Sequence, residues 1–200
     1  MKHLKTLGLA MLAAAALMAI LGVGTASATT LENKTEVLEV GSFIKAHLES
    51  GTKWKLTTTF KTVECSESEL TAATTNKTGG EVFANATWTL GNCNCEVKVL
   101  SGGTISTAWI NGTSDGTFVS SGFEFTTTCS TVFGNIHCLY RTKSTTLGTL
   151  TGSKTTGATA TIDINETEIP REPTMPQCTE KGRWDGNYIV ENPDTLNVIN

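Results

Sequence analysis

One stretch, residues 122–142, limits the fold of this chain more than any other, and it reads GFEFTTTCSTVFGNIHCLYRT. Apolar and polar side chains alternate with a period of two in two successive runs, which is the pattern of strands that bury one face. Cys129 shares its face with Phe125, and Cys138 shares its face with Tyr140. The stretch therefore predicts a β-hairpin that carries both cysteines on its inner face.

The chain contains six cysteines, a number that allows fifteen pairings. The predicted hairpin favours a bridge between its two inner-face cysteines. Cys93 and Cys95 lie on another alternating run, so they share a face and require two different partners. The predicted disulfides are Cys129–Cys138, Cys65–Cys93 and Cys95–Cys178, with an exchange of Cys93 and Cys95 left open as the alternative.

A zinc site is the competing interpretation of the same cysteines. The Cys93–Cys95 spacing and the neighbouring His137 and Cys138 supply thiolate and imidazole groups. However, His137 and Cys138 are adjacent in a predicted strand and point to opposite faces, and the chain has no Cys-x-x-Cys knuckle. Cysteines of exported proteins are normally oxidised, so the sequence predicts disulfides, no metal and no cofactor.

Residues 1–28 have the features of a secretory signal peptide. Lys2 and Lys5 precede an apolar run over residues 7–23, and Ala26-Ser-Ala28 matches an Ala-x-Ala cleavage site. The apolar run is short for a membrane-spanning helix and ends in small residues. The sequence predicts one mature domain over residues 29–200, without a membrane span, that is secreted or held on the outer face of the cell envelope.

The composition indicates an all-β domain that does not bind nucleic acid. The formal net charge is −4, and the chain contains no block of basic residues that would neutralise phosphates. Threonine is the most frequent residue, and its β-branched polar side chain suits half-exposed strands. About ten short alternating runs, separated by glycine, asparagine and serine, predict a disulfide-linked antiparallel β-sandwich. A β-barrel is the alternative.

A second hairpin is predicted around residues 49–52, where Glu-Ser-Gly-Thr is a turn sequence. Its first arm is residues 43–48 and its second arm is residues 53–61. The second arm alternates cleanly. Its predicted core-facing side chains are Trp54, Leu56, Thr58 and Phe60.

Ser114 lies in a Gly-x-Ser-x-Gly sequence at residues 112–116, which matches the pattern of a hydrolase nucleophile elbow. That elbow requires a following helix and a histidine base. No helical periodicity follows Ser114, and only His47 and His137 lie in the predicted mature domain. The pattern is more typical of a turn between strands, so the sequence predicts that the protein is not an enzyme.

Acidic residues near the end of another alternating run suggest two further sites. Asp163 with Glu166, or Glu166 with Glu168, form pairs of the type that glycosidases use. Residues 163–167 also alternate oxygen-bearing side chains, but they lack the glycine and the distal glutamate of a calcium loop. Solvated surface carboxylates are the simpler interpretation of both patterns.

Four tryptophans are the residues that most suggest ligand binding. Aromatic rings exposed in a concave sheet stack on sugar rings, whereas rings on the apolar face of a strand fill the core. All four fall on apolar alternating faces, so the pattern favours the core. The residues are Trp54, Trp88, Trp109 and Trp184.

Several motifs occur in a fixed order along the second half of the predicted domain. They are Cys129, His137-Cys-Leu-Tyr140, Leu147-Gly-Thr-Leu-Thr-Gly152, Ala160-Thr-Ile-Asp-Ile164, Cys178, Trp184 and Gly186-Asn-Tyr188. This ordered set resembles that of uncharacterised exported Thr/Gly-rich β-proteins of high-GC Gram-positive bacteria. The resemblance implies an exported β-domain and no catalytic residue.

Two functional hypotheses follow from the sequence. The first is a secreted or cell-envelope-associated binding or structural protein without enzymatic activity, with a cell-wall polysaccharide or another surface protein as its partner. The second is a secreted hydrolase that uses Ser114 or one of the acidic pairs. Export and the predicted β-surface favour the first hypothesis.

Overall fold

The computed structural model describes residues 28–132, 134–153, 158–172 and 177–200, and its regular structure is entirely β-strand. Residues 1–27, which hold nearly all of the predicted signal peptide, lie outside the described residues. Within the described ranges the chain forms no helix, so none could cross a membrane. The strands are β1 (Thr29–Asn33), β2 (Glu36–Val37), β3 (Phe43–Leu48), β4 (Trp54–Thr57), β5 (Thr62–Thr74), β6 (Thr78–Gly79), β7 (Val82–Cys93), β8 (Glu96–Ser101), β9 (Thr104–Thr107), β10 (Gly116–Ser121), β11 (Glu124–Thr131), β12 (Gly134–Arg141), β13 (Thr145–Thr151), β14 (Thr161–Pro170), β15 (Lys181–Asn192) and β16 (Asn197–Ile199).

Eight of these strands close into an antiparallel barrel in the order β14, β13, β10, β9, β7, β5, β3 and β15. The barrel closes because β15 pairs with β14 on one side and with β3 on the other. The predicted sandwich is therefore wrong, and the barrel alternative is confirmed. A sandwich leaves each of its two sheets with edges, whereas the long β14–β15 pairing joins the two ends of one sheet.

The predicted hairpin around residues 49–52 is also wrong. Both β3 and β4 run antiparallel to β5, so they run in the same direction and form one interrupted strand. His47 is opposite Glu69, and Trp54 is opposite Cys65. The six residues between His47 and Trp54 therefore face only three residues of β5, and the extra residues loop out of the sheet. The turn sequence is real, but it loops out of a strand instead of reversing the chain.

The chain reverses after β4, where Thr57 is paired with Thr62 across the turn between β4 and β5. The Thr58 backbone N–H donates to the Lys61 carbonyl at 3.2 Å and closes this turn. Phe60, predicted to face the core, is instead 56% exposed. Side chains alternate between two faces only while the backbone is an extended strand. The strand ends at Thr57, so the alternation does not apply to Phe60 in the turn.

Three pairs of consecutive strands continue from the barrel into a second sheet and bend where they leave it. The bends lie between β8 and β9, between β10 and β11, and between β12 and β13. They contain Gly103 (φ +66°), Gly122 (φ +74°) and Ser144 (φ +51°). Glycine adopts this left-handed backbone without steric cost, and a Cβ at Gly103 would also lie 2.3 Å from the Ser121 carbonyl oxygen. We call the resulting sheet of β12, β11 and β8 the end sheet.

The inner face of the end sheet packs against one end of the barrel and extends its aromatic core. The ring centroids of Phe125 and Trp54 are 5.6 Å apart in an edge-to-face contact. At the bend, the ring of Phe123 lies 5.2 Å from Trp88 and 5.4 Å from Trp184. Edge-to-face and offset ring pairs contribute about 0.5–1.5 kcal/mol each beyond their buried area. This cluster therefore fixes the end sheet on the barrel.

The opposite end of the barrel is filled by residues of a small sheet made of β16, β1, β2 and β6. Leu31 of β1 and Leu196, just before β16, line a small apolar cavity together with the inward-facing Ile44, Phe118 and Ile162. All five are at least nine-tenths buried. Both ends of the barrel interior are thus occupied by side chains of the chain itself.

The hairpin of β11 and β12 exists as predicted, but its predicted disulfide does not. The register places Cys129 opposite Ile136 and Cys138 opposite Thr127, so the two cysteines are two positions out of step. Diagonal positions of this kind lie about 7–8 Å apart, beyond the reach of a disulfide. The predicted Cys129–Cys138 bridge is therefore wrong.

Each cysteine of the hairpin instead bonds to a different segment. Cys95–Cys129 joins the start of β8 to β11, and Cys138–Cys178 joins β12 to the loop between β14 and β15. The predicted Cys95–Cys178 bridge is therefore wrong as well, because both of its cysteines have nearer partners. Cys65–Cys93 is confirmed, since the two residues are directly opposite each other on β5 and β7.

Candidate functional site

The tryptophans predicted to stack on a ligand do not come together on one surface. Trp54 and Trp184 have no exposed area and Trp88 is 2% exposed, so these three rings offer no surface for stacking. Trp109 is half-buried, and its indole N–H donates to the carbonyl of Thr113 at 2.9 Å. Trp109 is thus the member of the predicted set with accessible ring surface.

Ser114 lies in the loop between β9 and β10, and a strand follows it instead of a helix. Its carbonyl oxygen accepts a hydrogen bond from the Val198 backbone at 2.9 Å. His47 lies 3.8 Å from Glu191, and His137 lies 2.9 Å from the Thr128 hydroxyl. In the described part of the chain, neither histidine has Ser114 as a hydrogen-bonding partner.

The acidic residues of β14 are exposed, and two of them, Glu166 and Glu168, have basic neighbours. Lys181 donates a short hydrogen bond to Glu168 at 2.5 Å, and this bond lowers the pKa of the Glu168 carboxyl. Glu166 lies 3.8 Å from Arg183. A general acid for glycoside cleavage requires a raised pKa, which is the opposite of what the Glu168 environment produces.

The ligands of the hypothesised zinc site are bonded elsewhere, since all six cysteines form disulfides. In the ranges that the structure describes, no group of three or more histidine, cysteine, aspartate or glutamate side chains is arranged to hold a metal ion.

A polar groove of about 820 Å³ lies on the outer face of the barrel, where β14, β15 and β4 run side by side. We call it the outer groove. Its lining comes from three separate parts of the sequence. The lining residues are Gly51, Thr52, Lys53, Lys55, Thr57, Glu64, Asp163, Ile164, Asn165, Asp185, Gly186 and Asn187.

One wall of the outer groove is the loop that interrupts the strand between β3 and β4. The Thr52 backbone N–H and hydroxyl both donate to the Glu49 carbonyl, at 3.0 and 2.7 Å. Gly51 adopts the left-handed conformation that this turn requires, with φ of +83°. The Glu49 N–H donates to the Asn187 carbonyl at 2.9 Å and ties the loop to β15. The wall is therefore fixed to the barrel at its base.

The opposite wall is a β-bulge in β14. The pairing register shifts between Ile164 and Thr167, and Glu166 in the bulge has φ of +47°. Its backbone N–H donates to the Asp185 side chain at 2.8 Å, which holds that carboxylate in place. The bulge leaves Asn165 exposed beside the groove. Bulges redirect side chains in this way next to many binding sites.

Charged groups in the outer groove nearly balance. Lys53 donates to Glu64 at 2.7 Å, and Lys55 lies 3.9 Å from the same carboxylate. The hydrogen bond from Lys53 is the main reason that the pKa of Glu64 is lowered. Asp185 is opposite Lys55 in the strand pairing, and Asp163 is exposed. Two ammonium groups and three carboxylates therefore present donors and acceptors without a strong field of one sign.

Two tyrosines are buried inside the molecule, away from this groove. The hydroxyl groups of Tyr188 and Ser68 are 2.8 Å apart. The Tyr140 hydroxyl has no hydrogen-bond partner among the described residues. Burial raises the pKa of Tyr140 to about 12, and it raises that of Tyr188 as well.

We predict that neither tyrosine ionises near pH 10 while the protein is folded. The unfolded chain loses its phenolic protons first, so the free energy of unfolding falls as the pH rises from about 10 to about 12. Ultraviolet absorbance of the phenolate, recorded together with circular dichroism, measures both effects. The protein in guanidinium chloride is the control, with a midpoint near pH 10. A folded protein that titrates at the same midpoint would contradict the prediction.

Sequence reasoning identified Asp163 but missed Lys55, Asp185 and Asn187 as members of one site. No local pattern connects these residues, because Lys55 lies on β4 and Asp185 and Asn187 lie on β15, far from Asp163 in the sequence. Comparison with protein-family models, with curated proteins and with solved structures gave no match to this chain.

Proposed function

We propose that this protein is an exported, non-enzymatic binding protein that holds a neutral, hydroxyl-rich ligand in the outer groove. The observation that carries the proposal is the lining of the groove, in which carboxylate, ammonium and side-chain amide groups lie together with nearly balanced charge. A polysaccharide of the cell envelope has the matching chemistry, because each of its hydroxyl groups both donates and accepts hydrogen bonds.

The carboxylates and amides of the groove have complementary roles in this proposal. Asp163 and Asn187 are directly opposite each other on β14 and β15, and both are exposed. A carboxylate accepts hydrogen bonds from sugar hydroxyls, while an amide both accepts and donates. Lys53 and Lys55 add donors on the other side of the groove. Hydrogen bonds to charged groups are stronger than those between neutral groups, so these residues provide the binding energy.

The walls of the groove also support a binding role, because they are held before a ligand arrives. The loop over residues 49–53 is hydrogen-bonded to β15, and the Asp185 carboxylate is hydrogen-bonded to the bulge of β14. Groups that are already ordered lose less conformational freedom on binding. A ligand would thus meet a prepared surface on the rigid barrel.

Export completes the proposal. Three disulfides are typical of extracellular proteins. The signal-peptide pattern over residues 1–28 would direct the chain out of the cell, where it would meet the polysaccharides of the cell envelope. The tryptophan-stacking version of the hypothesis is replaced by hydrogen bonding, because three of the four rings lie in the core.

Replacing Asp163 and Asn187 together by alanine is expected to weaken binding to a polysaccharide by about tenfold or more, since a lost hydrogen bond to the Asp163 carboxylate contributes about 1.5–3 kcal/mol and one to the neutral Asn187 amide about 0.5–1.5 kcal/mol. The measurement is isothermal titration of the oxidised protein with a panel of neutral soluble polysaccharides, followed by sedimentation with purified cell walls.

Thr161→Ala is the matched control, because Thr161 is exposed on β14 two positions from Asp163 but does not line the groove. The control should bind as the unmodified protein does. The proposal fails if no polysaccharide binds to the unmodified protein, or if the Asp163/Asn187 variant binds as tightly as the control.

A further inference from the structure

The two edges of the end sheet differ in how they are covered. Residues 171–172 and 177–178, which follow β14, lie along the β12 edge. The Glu172 backbone N–H donates to the Leu139 carbonyl at 2.9 Å, and the Gln177 side-chain amide donates to the His137 carbonyl at 3.2 Å. The Cys138–Cys178 disulfide holds these residues in place. Covering an edge strand in this way prevents it from pairing with another chain.

The β8 edge has no strand paired to it in the described part of the chain. Among the described residues, β8 pairs with β11 on one side and with no strand on the other. Glu96 and Lys98 are exposed, Leu100 is 48% exposed, and Val97 and Val99 are only half-buried. An unpaired edge with partly exposed apolar side chains is a surface on which a further strand can add.

We propose that β8 pairs antiparallel with β8 of a second copy of this chain, about a twofold axis that passes through Val97. In this register Glu96 is opposite Lys98 of the second copy, and Lys98 is opposite Glu96 of the second copy. Residues directly opposite each other in an antiparallel pair lie on the same face of the sheet. Two ion pairs therefore form on the outer face, and the Val97 side chains meet on the inner face.

Charge complementarity selects this register over its neighbours. An axis through Lys98 places two lysines opposite each other, which is unfavourable for like charges. An axis through Val99 places Lys98 opposite Leu100 and forms no ion pair. Glu96 and Lys98 are thus spaced so that each attracts its counterpart in a second copy. In many other proteins the charged side chains on an edge strand prevent pairing with another chain.

The interface is expected to be weak. One added strand of this length buries less area than a standard stable interface, so the dimer should form reversibly in the micromolar to millimolar range. None of the residues that line the outer groove lies in β8. Association through β8 and ligand binding in the outer groove are therefore separate properties that separate experiments test.

Sedimentation equilibrium of the oxidised protein, produced in an exporting host, tests the proposal at concentrations from about 1 µM to about 1 mM. We expect a monomer–dimer equilibrium. Lys98→Glu alone and Glu96→Lys alone should each weaken the dimer by about tenfold, because each creates like-charge pairs. The combined Glu96→Lys and Lys98→Glu variant should restore dimerisation to within about twofold of the original affinity.

A charge exchange elsewhere on the surface provides the control. The Glu168→Lys and Lys181→Glu pair lies on the β14–β15 hairpin, and exchanging it should leave the dimer unchanged. Circular dichroism verifies that every variant is folded. The proposal is overturned if the protein stays monomeric at every concentration tested. This holds even if β8 is then found to bind a different extended peptide. The proposal is also overturned if the dimer affinity is unchanged in the two single variants, or if the combined Glu96→Lys and Lys98→Glu variant does not regain the original affinity.

Discussion

Replacing Trp184 by alanine is expected to lower the free energy of unfolding by about 3–5 kcal/mol, the range found for aromatic residues truncated in a packed core. Trp184 has no exposed surface, and its ring centroid lies 6.1 Å from that of Trp54 and 5.2 Å from that of Trp88. It also contacts Phe123 at the bend into the end sheet. The substitution therefore opens a cavity where the barrel and the end sheet meet. Urea denaturation with the disulfides intact, followed by far-ultraviolet circular dichroism, measures the loss.

Trp109→Ala is the matched control for this experiment. Trp109 is half-buried, and its ring makes one hydrogen bond to a loop carbonyl. Its truncation should cost about 1 kcal/mol, because less area is lost and the remaining space is open to water. Equal losses for the two variants would contradict the assignment of Trp184 to the centre of the core.

Replacing Gly148 by alanine is expected to cost about 3 kcal/mol or more, because there is no space for a methyl group. Gly148 of β13 is opposite Phe118 of β10 and Ile164 of β14. A Cβ at this position would lie 1.7 Å from the Asp163 backbone carbonyl oxygen. Backbone inside a closed barrel cannot move away without breaking neighbouring strand pairs. Urea denaturation measures the loss of stability.

Gly80→Ala is the matched control for this second substitution. A Cβ at Gly80 would meet no atom within 4 Å. The change should therefore alter the free energy of unfolding by less than about 0.5 kcal/mol, as surface substitutions generally do. Equal free energies of unfolding for the Gly148 and Gly80 variants would contradict the close approach of β13 to β14 at Gly148.

The inward and outward faces of single strands could be predicted from the sequence. In β7 the side chains of Val82, Ala84 and Trp88, which alternate along the strand, are at most 3% exposed, while Phe83 on the opposite face is 45% exposed. Side chains alternate between two faces along any single extended strand, so the pattern can be recognised from consecutive residues alone. The prediction of an all-β fold depended on the same local property and is confirmed.

The partners of each strand could not be predicted in the same way. Trp54 alternates with its neighbours whether β4 turns back on β3 or continues in its direction, so the wrong hairpin and the interrupted strand have identical local patterns. Similarly, Cys129 and Cys138 share an inner face in either register of their hairpin. A slip of two residues preserves every face and changes which cysteines are within bonding distance.

The outer groove depended even more on partners distant in the sequence. Asp163 was visible as one member of an acidic group, but its neighbour Asn187 lies on a different strand, and so does Asp185. These residues come together because β14 pairs with β15 and β15 pairs with β4. A bulge in one strand and a loop in another then give the groove its walls.

The amino-acid sequence by itself determined that this chain forms strands and which side chains of each strand face inward, because both follow from local backbone geometry. Only the tertiary structure decided that the sheet closes into a barrel, which cysteines pair, and where polar side chains form a groove. The physical reason is that these features depend on register between segments far apart in the chain. Register is selected by the packing of the whole core.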